Sequence, residues 1–103
     1  MNIGISTAIF YPDQLTENAV ELLAKEGFNQ GEVFVNSFSE FTKEYAEKLS
    51  QLAKDNNFDI RSIHTVSSAF EPYLFDAYER RREDFFKIYQ DFLKFGEIVG
   101  ARA

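Results

Sequence analysis

Cysteine is absent from the 103 residues. That excludes a disulfide framework and any thiolate metal site, and it fits a reducing compartment, so a cytoplasmic protein is expected. Long hydrophobic runs are missing as well: no stretch approaches the roughly 20 apolar residues that a membrane span requires. The opening Met1-Asn2-Ile3-Gly4-Ile5 has neither the basic start nor the apolar centre of a secretion signal. No membrane partner is expected. Positive charge is the scarcer sign, with 11 Lys and Arg against 17 Asp and Glu and a net charge of −6. Binding a phosphate backbone draws on a concentrated field of Lys and Arg that releases counterions, so no nucleic-acid partner is expected either. The triplet Arg80, Arg81 and Arg82 stands among Glu79, Glu83 and Asp84 and reads as a solvated, salt-bridged helix face.

Phosphate-cradling glycine loops are lacking too. Gly4-Ile5-Ser6 is not followed by the further glycines of a dinucleotide turn, and no segment matches a P-loop. Without cysteine, and with no serine in a nucleophile elbow, nucleophilic triads have no candidate. The chain does have 45% apolar residues, enough for the core of one domain.

What is present is a repeat. Leu-Ala-Lys-Glu-Gly-Phe-Asn followed by Glu-Val-Phe-Val is echoed by Leu-Ala-Lys-Asp-Asn-Asn-Phe-Asp followed by Ser-Ile-His-Thr, with Phe28 and Phe58 30 positions apart. A parallel strand cannot return through a tight turn, and a helical crossover takes about 30 residues per unit. Stacked βα units are therefore expected. The patterns place strands over 3–8, 31–35 and 60–66 and helices over 14–26, 42–55 and 75–99. Asp13 or Thr16 is expected to cap the first helix, Gly27 to end it in a left-handed turn, and Asn56-Asn57 to stop the second. The first helix should bury Leu15, Ala19, Leu22 and Leu23. The 12 phenylalanines are read mainly as core, with the broad apolar arc of the last helix covering more than one neighbour. The loop 67–72 is a candidate binding loop, because such loops at strand ends carry function in βα architectures.

Aligning Phe28 with Phe58 sets Glu32 opposite Ser62, Val33 opposite Ile63 and Phe34 opposite His64. Alternation along a strand then separates an apolar Val/Ile face, suited to a helix layer, from a polar face carrying Glu32, Ser62 and His64. A polar face of this kind suits the interior of a barrel with a site at one end. Phe34 and His64 stand at the carboxyl ends of their strands, with Phe10 just beyond the first. His64, the single histidine, could coordinate a metal, bind a sugar hydroxyl or move a proton; alternatively it is satisfied internally by Glu32 or a loop carbonyl. Glu32 is either a site carboxylate or the partner of a residue on a neighbouring strand. One His and one Glu do not complete a metal site of three or four ligands.

In order and spacing, these residues resemble the xylose isomerase-like TIM barrels, which include sugar phosphate isomerases and epimerases and, more distantly, endonuclease IV. Ile3-Gly4-Ile5-Ser6-Thr7 is similar to that family's first strand, and Ala24 through Val33 to its Gly-Phe-Asp-Gly-x-Glu approach to the second. Ser62-Ile63-His64 is similar to the third strand, and Arg81 to Ala101 to the third helix and the approach to a fourth strand. The resemblance implies an α/β fold, a partial (β/α)8 barrel of three βα units that forms the amino-terminal part of a larger domain. It also implies a divalent metal (Mn, Mg or Zn) and catalytic carboxylates supplied mostly by later strands. Within this chain it implies no catalytic residue, a substrate contact at His64 and a sugar or sugar-phosphate substrate; Glu32 on the polar face and Phe10 just beyond the first strand are expected to complete a substrate-binding wall with His64. The endonuclease pattern has Ala-Pro after the histidine where this chain has Thr65-Val66. A non-catalytic α/β binding module is the alternative from another class. Open strand edges and the aromatic last helix lead us to expect a homo-oligomer.

Overall fold

The computed structural model describes residues 3–64 and 71–102. Three parallel strands, β1 (Ile5–Ser6), β2 (Gln30–Phe34) and β3 (Asp59–His64), form one sheet in the order β1-β2-β3. Helices α1 (Thr16–Lys25) and α2 (Lys43–Asp55) make the two crossovers, and α3 (Glu71–Leu74) and α4 (Glu79–Val99) follow β3. The protein is thus mixed α/β with a three-stranded parallel sheet, as the repeat implied. The register pairs Glu32 with Ser62, Val33 with Ile63 and Phe34 with His64, which is the alignment that the repeat dictates.

The three long helices end alike, which is why the repeat reads so clearly. The amides of Phe28, Phe58 and Ala101 donate to the carbonyls of Leu23, Ala53 and Gly96, each five residues back. The preceding residues, Gly27, Asn57 and Gly100, have φ of 98°, 53° and 79°, the left-handed conformation of a Schellman cap. Each cap turns the chain back onto the sheet. After the second, the Asp59 amide donates to the Asn29 carbonyl at 2.8 Å; after the third, the Arg102 amide donates to the Arg61 carbonyl, also at 2.8 Å. Gly100-Ala101-Arg102 therefore reaches the outer edge of β3.

The core lies between the helices and one face of the sheet. Val33, Val35 and Ile60 meet Val20, Leu23, Leu49, Ala53, Phe95 and Val99 there. A bulge between Gly31 and Glu32 in the β2–β3 register lets Ile60 and Ile63 both face the helices while Ser62 and His64 face away. Gly31 is required by packing: a Cβ there would overlap the Ile5 carbonyl oxygen and come within 2.9 Å of Phe58 Cζ.

Several boundaries differ from the sequence reading. The first strand is expected over 3–8, but Ser6 accepts a hydrogen bond from the Ala8 amide at 3.1 Å and starts a 3-10 turn over Thr7–Phe10. Neither Asp13 nor Thr16 caps α1. Leu15 occupies the cap position without a side-chain bond, and Thr16 is the first helical residue, turned inward with Ala19, Val20 and Leu23 in place of Leu15 and Leu22. A helix over 75–99 is interrupted: Asp76 accepts from the Tyr78 amide at 2.7 Å and binds Arg81 at 2.8 Å, so α4 begins at Glu79. That same carboxylate, from before the helix, pairs with Arg81, and the Asp76 carbonyl accepts from Arg82 at 2.9 Å. Among the phenylalanines, Phe58, Phe85, Phe92 and Phe95 are buried, whereas Phe75 and Phe86 are exposed. Thr65, Val66 and the 67–70 part of the candidate loop lie outside the described residues.

Candidate functional site

From the middle of β2 and β3 to the carboxyl end of β3, the sheet brings together the polar side chains that alternation assigns to one face. Glu32 Oε2 accepts a hydrogen bond from the Ser62 hydroxyl at 2.9 Å. Its other oxygen, Oε1, stands 3.9 Å from His64 Nδ1. That is beyond a direct hydrogen bond, so Glu32 is satisfied by Ser62 and keeps one oxygen open beside the imidazole. Both side chains remain accessible, His64 at 50% and Glu32 at 40%.

The 3.9 Å gap is chemically useful. A ligand hydroxyl about 2.8 Å from each atom bridges such a base, donating to the carboxylate while accepting from the imidazole N–H. Beside this polar pair lies an aromatic surface. The Phe34 ring packs on His64 with centroids 4.8 Å apart and planes tilted by 60°, and Tyr11 meets Phe34 edge-on at 6.0 Å. The sheet face thus sets hydrogen-bonding groups next to an apolar surface.

Toward the amino ends of the strands the same face forms a cleft of about 470 Å³ bordered by Gly4, Ser6, Gln30, Glu32, Arg61 and Ser62. Its arginine, Arg61, is paired with Asp59 at 2.7 Å.

Of the three residues that sequence reasoning assigns to the wall, the structure joins two. Glu32 and His64 face each other, whereas Phe10, in the 3-10 turn, packs half-buried against the hydrophobic core. Tyr11, its neighbour, is the residue of that segment whose ring reaches Phe34. The alternation pattern does not extend through a 3-10 turn, so the sequence held no signal separating the two aromatics.

The residues present do not fit a metal centre by themselves. Glu32 and His64 are two donors where three or more are needed, and the described residues contain no group of three or more His, Cys, Asp or Glu side chains placed to hold an ion. Among the described residues no helix is long and apolar enough to cross a membrane. Set against known proteins, the chain matches no family model, and the curated proteins contain no match to it.

Proposed function

We propose that this chain is one wall of a sugar isomerase or epimerase built on a (β/α)8 barrel of the xylose isomerase-like kind, an enzyme that moves a proton on a carbon next to a carbonyl. The observation that carries the reading is the Glu32–Ser62–His64 constellation on the face of a parallel sheet turned away from the helices, running from mid-strand to His64 at the carboxyl end of β3. Sites in barrel enzymes are built at that end. In this role Glu32 and His64 hold a substrate hydroxyl and Phe34 packs on the sugar's C–H face. Neither is assigned the proton transfer. The divalent ion (Mn, Mg or Zn) and the acid and base of the reaction belong to residues other than these. In the same reading the open edge of β3 and the exposed Phe86, Tyr89 and Leu93 of α4 are where further βα units pack; two copies of the chain associate through them when no such unit covers them.

The test is expression of the gene's entire reading frame and assay of ketose interconversion across a sugar panel, with and without Mn²⁺ or Mg²⁺. Glu32→Gln and His64→Ala are expected to raise KM on the order of tenfold, as loss of a hydrogen bond to a charged or polar wall does. No turnover of any sugar, or turnover indifferent to both substitutions, defeats the reading.

A non-catalytic sugar-binding α/β module is the second reading, favoured by the two-donor count at the wall. It predicts sugar binding at Glu32 and His64 without turnover by the entire reading frame. An endonuclease is the least supported, since the net charge is −6 and the cleft's Arg61 is already paired.

A further inference from the structure

Thr7 and Thr16 are the buried polar residues of the described chain, 3% and 2% exposed, and both direct their hydroxyls to one residue. The Phe34 amide donates to Thr7 Oγ1 at 2.9 Å, and Thr16 Oγ1 donates to the Phe34 carbonyl at 3.4 Å. Asn36 Nδ2 donates to Thr16 Oγ1 at 3.1 Å, and the Tyr45 phenol also lies within reach of that hydroxyl, so the Thr16 contact is the longer and weaker of the two to Phe34.

The need for these hydroxyls follows from the short first strand. The β1–β2 ladder ends at Ser6 and Glu32, so at Phe34 no β1 backbone carbonyl is in line, and a buried amide without an acceptor is strongly unfavourable. Thr7, the first residue of the 3-10 turn, supplies a side-chain oxygen in its place. On the other side of β2, the Val35 amide donates to the His64 carbonyl at 3.2 Å. The backbone at Phe34 and Val35 is thereby held from the 3-10 turn, α1 and β3 at once, and the Phe34 ring is the one that packs against His64.

We infer that Thr7 and Thr16 are positioning residues for His64: by gripping the Phe34 backbone they set the ring that holds the imidazole with Nδ1 toward Glu32. The value of that placement for a substrate rests on the wall reading above; the grip itself does not.

Nuclear magnetic resonance on the 103-residue protein at one fixed pH tests it, because the single histidine gives one set of ring-proton signals. Those signals are expected to be displaced from free-histidine positions by the Phe34 ring current, and Phe34→Leu abolishes the displacement. Thr7→Val and Thr16→Val move them toward the Phe34→Leu positions, and Thr7→Ser, which keeps the hydroxyl, restores them. Folded valine variants with His64 signals at the original positions overturn the inference, since a role in general stability leaves those signals unmoved. Should a valine variant fail to fold, the unaltered protein decides: a Phe34 amide that exchanges with solvent as fast as an unprotected one also overturns it. Adding D-fructose to the same samples separates the two ideas. A threonine-dependent His64 signal that ignores fructose and the other ketohexoses upholds the grip and counts against the substrate wall.

Discussion

The Tyr45 phenol donates to the Glu17 carboxylate at 2.5 Å, tying α2 to α1. Burial, then this bond and the nearby negative charges of Glu40 and Glu17, push the phenol well above its ordinary range. Below about pH 10 the folded and unfolded chains both carry the phenol proton. Above it the unfolded chain ionises first, so the stability that Tyr45 contributes is complete below pH 10 and declines as pH rises further. Tyr45→Phe is expected to lose about 1–2 kcal/mol at neutral pH. In urea unfolding followed from pH 7 to 11, the difference between the two proteins should narrow above pH 10. A difference that widens there contradicts the assignment.

Gly31→Ala drives a methyl into the Ile5 carbonyl. Only separation of β1 from β2 relieves it, and β1 is two residues long. A loss of about 2–3 kcal/mol is expected, with faster amide exchange confined first to Ile5 and Ser6. Gly4→Ala is the control: its added Cβ meets nothing nearer than 3.6 Å, and its change should stay within about 0.5 kcal/mol.

Phe92 and Phe86 share a helix and differ in burial, 1% against 57% exposed. Phe92 packs on Phe41 with ring centroids 4.1 Å apart. Truncation to alanine should cost about 3–5 kcal/mol at Phe92 and no more than about 0.5 kcal/mol at Phe86. Thermal or denaturant unfolding of the two variants measures the contrast, and equal losses would mean that α4 presents a different face to the sheet.

Exposed Tyr89 and Leu93 border an apolar groove with Ile63, Gly96 and Ala101 at the open edge of β3. Sedimentation velocity should show mass rising with concentration, and Tyr89→Lys with Leu93→Lys should return the protein to a monomer by placing charge on the contact. A compact monomer at high concentration in the unaltered protein removes this prediction.

Asp76 is partly buried, and its hydrogen bonds from Arg81 and the Tyr78 amide hold its carboxyl below the ordinary aspartate value. The stabilisation is therefore present above that ordinary value and is lost as pH falls below it. Asp76→Asn should fray the start of α4 at neutral pH, seen as faster exchange at the Arg81 and Arg82 amides, and should differ less from the unaltered protein in acid.

The two crossover helices, the parallel direction of the strands and the pairing of Glu32 with Ser62 and of Phe34 with His64 were legible in the order of residues. The reason is that they rest on local chemistry. A left-handed cap at residues 27 and 57 places Phe28 and Phe58 alike at the approach to each strand, and alternation then assigns the faces. What the sequence could not disclose is where a ladder ends and what takes its place. Ser6 turns the chain out of the sheet after two paired residues, so Thr7 and Thr16, which read as an ordinary strand residue and a helix cap, become buried partners of Phe34. Tyr11 in place of Phe10 beside that ring, and Asp76 in place of the adjacent acids beside Arg81, follow the same rule. Periodicity records which side of an element is buried. Which donor meets which acceptor is decided only when segments far apart in the chain are packed together, because an unsatisfied buried group takes whatever partner the fold brings within reach.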